Sequence, residues 1–293
     1  MTQLADRIAG HISALTENGP RHPENPAAVS AAQDYITSTL AGFGYDVARQ
    51  QYGTEPHQVN YTVRVGSTDQ PVLDIGAHWD TVPGSPGADD NASGAAGLLE
   101  IARELAAAEP AQPVRLCFFA EEEAGGLPGS TAHVTTTLER GEAIAAGISL
   151  EMIAYTGEDQ QLPPQAGPAL AAAGVQVPEA GDFIAVVGDD TAADWVAALL
   201  GAAAGESLPA LPLVAPAGAI GDAGRSDHAA YWQQGLPGIM ITDTANFRNP
   251  HYHQPSDTLE TLDLEFAAQV VQTIMAAVRG GSASSADQAD QNP

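Results

Sequence analysis

Apolar residues recur every three to four positions in several stretches of the chain, and this period predicts amphipathic helices. Leu4, Ile8, Ile12 and Leu15 place one apolar face on a helix over Thr2–Thr16. The same reading predicts further helices over residues 27–40, 92–108, 130–138, 191–204, 226–234 and 262–279.

Strands are predicted where the chain has a short, mostly apolar run or where apolar and polar residues alternate. Val72–Ala77 and Pro113–Phe119 have the composition of strands that are buried in a parallel sheet. The other strands are predicted over residues 45–52, 60–65, 148–154, 182–188 and 238–242. Because strands alternate with helices, we expect an α/β fold.

Two long stretches, Tyr155–Gly181 and Gly205–Arg225, are rich in proline, glycine and alanine and lack either period. We predict irregular loops there, and loops of this length are usually functional or disordered. No repeat and no linker divides the chain, so residues 1–280 are predicted to form a single domain. Residues 281–293 have the low-complexity composition of a disordered acidic tail.

The charge balance excludes some partners. The chain has 37 acidic residues and 10 basic residues, all of them arginine, and a formal net charge of −27. This argues against binding to nucleic acid or to anionic membranes. Molar salt shortens the screening length to about 3 Å, so the composition suggests a halophilic source, with an ordinary acidic protein as the alternative.

The amino terminus lacks the pattern of a signal peptide, which predicts a cytoplasmic location.

Polar residues follow the predicted strand Val72–Ala77 at its carboxyl end. His78 and Asp80 share one face there, because residues i and i+2 of a strand point the same way. This pair suits a metal-binding imidazole with a supporting carboxylate, although a core or loop histidine is an equally good interpretation. Asp89, Asp90 and Asn91 come next, and by themselves they also fit a helix N-cap.

Acidic residues follow two further strands. Glu121–Glu123 could be a solvated turn, but they come directly after a buried strand and so point to the same sheet edge as His78. Glu151 interrupts an apolar run, and a buried carboxylate needs a cation or a proton to offset its desolvation. His251 and His253 lie in a late polar loop. Mixed imidazole and carboxylate ligands suit zinc, with manganese or cobalt as alternatives.

In combination and in this order, the motifs resemble those of the di-zinc aminopeptidases of metallopeptidase family twenty-eight, whose relatives include glutamate carboxypeptidase and glutaminyl cyclase. The resemblance extends from about Ala27 to about Ala276. It is carried by Gly76–Asp80, by Asp90–Gly94, by Val114–Glu123, by Leu150–Ile153 and by Tyr252–Asp257. It implies a three-layer sandwich, with a central mixed, mostly parallel sheet and helices on both faces.

The resemblance also implies the roles of the residues. One Zn²⁺ binds His78, Glu151 and Asp90, the other binds Glu123, His253 and the same Asp90, and a water or hydroxide bridges the two metals. Glu122 is the general base, Asp80 supports the catalytic set, and the peptide bond between Asp90 and Asn91 is cis. Two departures matter: Glu151 stands where many members have aspartate, and an extra residue in the turn after the glutamates leaves Glu121 open as the base.

The activity implied by the resemblance is hydrolysis of the N-terminal residue from peptides with a free amino terminus. Ser226, Asp227 and His228 also look family-like and are expected to line the substrate pocket. A glutaminyl-cyclase-like acyltransferase, a related zinc amidohydrolase and a binding module without activity are the alternatives. An amidohydrolase with an inserted dimerisation domain is disfavoured, because 27 residues separate Glu123 from Glu151.

Overall fold

An eight-stranded mixed sheet lies at the centre of the molecule, and the computed structural model describes residues 1–172, 174–219 and 221–280. The strands are β1 (Ala48–Gln51), β2 (Val59–Val65), β3 (Val72–His78), β4 (Val114–Phe119), β5 (Ile144–Glu151), β6 (Ile184–Gly188), β7 (Ala210–Val214) and β8 (Gly238–Thr242). The helices are α1 (Gln3–Thr16), α2 (Pro26–Gly42), α3 (Gly94–Ala107), α4 (Pro128–Glu139), α5 (Ala166–Ala172), α6 (Ala193–Gly205), α7 (Ala229–Trp232) and α8 (Leu264–Gly280).

The order of strands across the sheet is β1-β2-β4-β3-β5-β8-β6-β7. Strands β4, β3, β5 and β8 run parallel to one another, and β6 pairs antiparallel with β8 and parallel with β7. The carboxyl ends of four neighbouring strands therefore meet at one edge of the sheet, where α/β folds bind their ligands. The predicted mixed, mostly parallel sheet is confirmed.

Helices cover both faces of the sheet because alternate strand residues point in opposite directions. Ile184, Val186, Ile239 and Ile241 belong to the main core, which also includes side chains from α1, α2, α3, α6 and α8. The alternating neighbours in β6 and β8, with residues of β7, pack with α5, and a third cluster packs α4 and α7 on the sheet. The expected three-layer arrangement is confirmed.

Three predictions about the elements are wrong. The expected loop over residues 155–181 contains α5, and the expected loop over residues 205–225 contains β7. Pro212 weakens the strand pattern of β7, yet β7 is an edge strand, where a residue without an N–H is tolerated. Strand β5 ends at Glu151 instead of continuing to residue 154, so this carboxylate lies at the sheet edge and not in mid-strand.

Among the described residues, no helix is long and apolar enough to cross a lipid bilayer. The predicted acidic tail, residues 281–293, lies outside the described residues.

Candidate metal centre

Six side chains from different strands and loops meet at the carboxyl edge of the sheet. His78 is the last residue of β3, and Glu151 is the last residue of β5. The other members of the set follow a strand or precede a helix: Glu122 and Glu123 after β4, Asp90 before α3, and His253 after β8. Parallel strands thus bring together residues that lie up to 175 positions apart in the sequence.

The first group of ligand atoms surrounds the His78 imidazole, which is completely buried. Its Nε2 atom lies 3.4 Å from Glu151 Oε2, 3.4 Å from Asp90 Oδ1 and 4.0 Å from Glu122 Oε2. One possible ligand atom from each of His78, Glu122 and Glu151 lies within 4.8 Å of the other two.

The second group surrounds His253, whose Nε2 atom lies 3.1 Å from Glu123 Oε1 and 3.1 Å from Asp90 Oδ2. Asp90 therefore turns one carboxylate oxygen toward each group. A carboxylate in this position can join two cations, which is the arrangement that the sequence motifs imply. The peptide bond between Asp90 and Asn91 is cis, as the resemblance implies.

The residues present fit two divalent cations. Asp90 Oδ2 is buried without a hydrogen-bond donor of its own. The Nε2 atom of His253 faces that oxygen and also Glu123 Oε1 at the same distance, and one nitrogen carries at most one proton. Imidazole nitrogens and carboxylate oxygens are among the usual ligands of zinc in proteins.

Burial and neighbouring charges shift the pKa values of three carboxyls at this site. Burial, together with the charge of Asp90, raises the pKa of Glu123 to about 7. Burial also raises the pKa of Glu122 well above its usual value, against the influence of His78. Burial would raise the pKa of Asp90 as well, but the neighbouring His253 and His78 imidazoles outweigh it and hold this pKa well below its usual value. Bound cations would favour the ionised forms of Glu122 and Glu123.

Two aspartates fix the turns that carry the ligands. Asp80 accepts the backbone N–H of Glu122 at 3.2 Å and that of Glu123 at 3.1 Å, and one of its oxygens lies 3.5 Å from His78 Nδ1. Asp257 accepts the backbone N–H groups of Asp89 and Asp90 at 2.9 and 3.1 Å. Asp80 therefore acts through the residues it orients, which makes it a positioning residue.

Two predicted alternatives lie away from the ligand atoms. The carboxylate of Glu121 accepts hydrogen bonds from Tyr52, at 2.9 Å, and from Gln58, and it contacts the His57 ring at 3.1 Å. His251 contacts Ser256 through its Nδ1 atom. The structure thus brings Glu122 and His253 to the centre and turns Glu121 toward the segment between β1 and β2.

Of the three residues expected to line the pocket, only Ser226 does so. Ser226 faces the cavity and donates a hydrogen bond of 2.7 Å to Glu151 Oε2. Asp227 is buried beside this site, and burial raises its pKa to about 7. His228 is buried against Trp232 and contacts the Ala223 carbonyl, and burial lowers its pKa to about 4.

An apolar cavity of about 290 Å³ opens from the ligand groups and extends along β8, β6 and β7 under α5. Glu122, Glu123 and Glu151 contribute to its polar end. Its apolar wall contains Leu162, Leu170, Ala185, Val187, Leu211, Leu213 and Met240. The two stretches predicted as irregular loops, residues 155–181 and 205–225, thus supply part of this lining, through α5 and β7.

A third combination of possible ligands, Asp74, Cys117 and His133, lies deeper in the sheet. Arg115 donates to both oxygens of this aspartate at 2.8 and 2.9 Å, and Tyr231 donates to it at 3.0 Å. Because the guanidinium already neutralises the carboxylate, this cluster is a buried ion pair and does not suit a metal.

Sequence reasoning missed the contributions of Arg21 and Asn91. Asn91 Nδ2 donates to the Leu150 carbonyl at 2.7 Å, and its Oδ1 accepts from the N–H of Met152 at 3.1 Å, which joins the Asp90 turn to the end of β5. Arg21 is buried beneath the segment that precedes this turn. Its position in a turn-rich stretch carries no sequence signal for such a role.

Comparison with known proteins adds three findings. A sequence model described as "Peptidase family M28" matches residues 60–278. YfbL of Escherichia coli K12, an uncharacterised protein, is 36% identical over 272 residues, which cover 87% of this chain and 81% of YfbL. An aminopeptidase of Pseudomonas aeruginosa is 40% identical over 109 residues, but these cover only 37% of this chain and 20% of that enzyme.

Solved structures share the fold. The LapA aminopeptidase of Legionella pneumophila superposes on this chain with a TM-score of 0.74. The superposed region covers 95% of this chain and 72% of the LapA chain. At 22% sequence identity, this similarity shows the fold alone and says nothing about the reaction.

Proposed function

Because this chain belongs to peptidase family M28 and is a peptide hydrolase, we propose that it is a zinc-dependent aminopeptidase that prefers large apolar N-terminal residues. The observation that carries the proposal is that an apolar cavity opens directly from two imidazole–carboxylate groups, with Asp90 lying between the two imidazoles. One part of this site suits the chemistry of the peptide bond, and the adjoining part suits an apolar side chain.

His78, Glu151 and Asp90 would hold one zinc ion, and Glu123, His253 and Asp90 would hold the other. Bound zinc supplies Lewis acidity, which lowers the pKa of water and polarises a carbonyl group. Asp80 and Asp257 keep the backbone of the ligand turns in place through their hydrogen bonds to backbone N–H groups.

Glu122 is the general base in this proposal. Its carboxylate lies on the cavity wall, 4.0 Å from His78 Nε2, and in this assignment each ion already has three protein ligands without it. It can accept a proton from the attacking water and donate it to the departing amine, as general acid–base catalysis requires. Glu121 is less suited to this role because its carboxylate is engaged by the segment between β1 and β2.

Exopeptidase action follows from charge and shape. The acidic end of the cavity attracts an ammonium group, while the apolar wall accepts the side chain of the same residue. Burial of apolar surface contributes roughly 25 cal/mol per Å², so a leucyl, methionyl or phenylalanyl side chain gains most from this wall. A negatively charged N-terminal side chain would be repelled by the carboxylates.

A panel of aminoacyl anilides, assayed in high salt, tests the proposal. The protein is measured as purified, after chelation and after zinc is restored, with leucyl, phenylalanyl, alanyl, lysyl and glutamyl substrates. We expect activity that is lost on chelation, returns with zinc and is highest for the large apolar substrates. Two bound zinc ions without turnover of any peptide substrate would contradict the proposal, and cyclisation of N-terminal glutamine would favour the acyltransferase instead.

A further inference from the structure

Arg21, in the loop between α1 and α2, is an almost completely buried cation with 1% of its surface exposed. Its Nε donates to the Trp79 carbonyl at 2.6 Å, and its Nη2 donates to the Gly87 carbonyl at 2.8 Å. Its Nη1 donates to the carbonyls of Pro86, at 2.7 Å, and Leu15, at 3.4 Å. All of these partners are neutral oxygens.

The carbonyl groups that accept these hydrogen bonds belong to residues close to the proposed metal ligands. Trp79 lies between His78 and Asp80, and Gly87 lies three residues before Asp90. The planar guanidinium therefore joins Trp79, which is next to His78 and Asp80, to Gly87, which precedes Asp90. The backbone of Thr81 adds a contact in the same segment, because its N–H donates to the Arg21 carbonyl at 3.4 Å.

The chain at Gly87 packs tightly against the Arg21 guanidinium. Gly87 has φ 64°, and a Cβ atom placed on it would lie 3.0 Å from Arg21 Nη2 and still closer to the Asp90 carbonyl oxygen and Thr81 Cγ2. The segment therefore passes close to the guanidinium, and this close approach requires glycine at that position.

A buried cation with only neutral partners needs compensating charge nearby. Among the described residues Arg21 forms no ion pair within 4.0 Å, but the charges of Asp257, Asp80 and Asp90 act on it at longer range. Burial lowers the pKa of Arg21 to about 10, against the opposing influence of these aspartates, so the group remains charged at neutral pH. The cation thus offsets part of the negative charge of the metal centre.

We propose that Arg21 is a positioning residue for metal binding, which holds the segment from Trp79 to Gly87 so that His78 and Asp90 present their ligand atoms before the metals arrive. The inference rests on the proposed function only for the presence of the two ions. Arg21 lies outside residues 60–278, so the family match does not assign it a role.

The experiment compares Arg21→Met and Arg21→Lys with the wild-type chain. Zinc affinity is measured by competition with a chromophoric chelator, and thermal unfolding is measured with and without zinc. We expect Arg21→Met to weaken zinc binding by about 10–100-fold, the usual cost of losing a group that orients metal ligands. Arg21→Lys retains the charge but cannot reproduce the planar fork, so we expect an intermediate loss.

Arg7→Met is the matched control. Arg7 also joins distant elements through an ion pair, at 2.7 Å to Glu100 in α3, but among the described residues it forms no hydrogen bond or ion pair with residues 78–90. We expect this variant to unfold at a lower temperature and to retain wild-type zinc affinity. The stabilisation by saturating zinc, which reports the binding free energy, should shrink in Arg21→Met and stay unchanged in Arg7→Met.

A stability loss with unchanged zinc affinity in Arg21→Met would show that the residue only stabilises the fold, and this would overturn the inference. If that variant does not fold, wild-type affinity in folded Arg21→Lys has the same consequence. A wild-type chain that binds two zinc ions without hydrolysing peptides would contradict the proposed function and leave this comparison valid. A wild-type chain that binds no zinc would overturn both.

Discussion

At the scale of single residues, three adjacent glutamates have three different environments. Glu121 faces the segment between β1 and β2, where Tyr52 donates to it. Glu122 faces the His78 ring from the cavity wall, and Glu123 contacts His253. Glu121 adopts a φ of 61°, which turns its side chain away from those of its two neighbours. Glu121 thus holds the segment between β1 and β2 by hydrogen bonds, whereas Glu122 is the proposed general base and Glu123 is a proposed metal ligand.

Replacing Glu122 with glutamine tests the proposed base. The amide keeps the shape of the side chain but cannot accept a proton, so kcat should fall by about 10²–10⁴-fold. Both zinc ions should remain bound, as elemental analysis of the purified variant would show. Glu121→Gln is the matched control, with less than about a tenfold expected loss; the reverse ranking of the two variants would transfer the role of base to Glu121.

Asp74→Asn tests the buried ion pair with Arg115. Burial raises the pKa of Asp74, but Arg115 and His133 lower it by more, so the net value lies below the usual 3.8. A depressed folded pKa means that the pair stabilises the protein above pH 3.8 and that this contribution is lost as the pH falls through the folded pKa. We expect the variant to lose about 3–5 kcal/mol of unfolding free energy at pH 7.

Urea unfolding of the metal-free protein at several pH values is the measurement. The difference between wild type and Asp74→Asn should shrink as the pH falls below 3.8, where the wild-type carboxyl also gains a proton. Asp34→Asn, at an exposed position of α2, should show little difference at any pH. A deficit of Asp74→Asn that stays constant with pH would contradict this account.

At the scale of elements, the apolar cavity depends on the last three strands of the sheet and on α5. Strands β6, β7 and β8 each turn one set of alternate residues toward the main core and the other set toward the cavity side. Helix α5 covers the cavity side and contributes Leu170. The width of the cavity therefore depends on the distance between α5 and the strands β6, β7 and β8.

Val187→Phe tests the specificity of the cavity. Val187 is a buried residue of β6 that lines the apolar wall, so a larger side chain fills space that a substrate side chain would use. We expect kcat/KM for leucyl and phenylalanyl anilides to fall by about 10–200-fold, and that for the alanyl anilide to change little. Steady-state kinetics on the three substrates provide the comparison.

Val214→Phe is the control for this variant, because Val214 belongs to β7 but is 40% exposed. It should leave the ranking of substrates unchanged. An equal loss for alanyl and leucyl substrates in Val187→Phe would indicate general damage to the site instead of a filled pocket.

At the scale of the whole molecule, the net charge of −27 dominates the electrostatics. Few of the acidic residues find a cation, because the chain has only ten arginines and several of them, such as Arg21 and Arg115, are buried. The remaining surface repels itself, and this repulsion weakens as the ionic strength rises.

Thermal unfolding in increasing KCl tests this expectation. Each kcal/mol of relieved repulsion raises Tm by about 2–4 °C for domains of roughly 150–250 residues, so ~2 kcal/mol of relief between 0.1 and 2 M KCl would raise Tm by about 5 °C. Sucrose of equal osmolality does not screen charge and serves as the control. A Tm that rises equally in both solutes would attribute the effect to solute exclusion.

The sequence by itself determined the order of strands and helices in the ligand region and the presence of a functional edge. Buried strands have long apolar runs, so the point where β3 or β4 gives way to His78 or Glu121–Glu123 is visible without coordinates. It could not identify α5 or β7, because their alanine, proline and leucine residues lack a clear period and their stability comes from packing against other elements.

Only the tertiary structure decided which acids face the centre and what supports them. A backbone torsion at Glu121 turns its carboxylate away, and the register of parallel strands brings Glu151 beside His78. Arg21 reaches the ligand segment from a loop nearly 60 residues earlier in the chain. Such contacts depend on distances between residues that are remote in the sequence, whereas periodicity reports only on the burial of neighbouring positions.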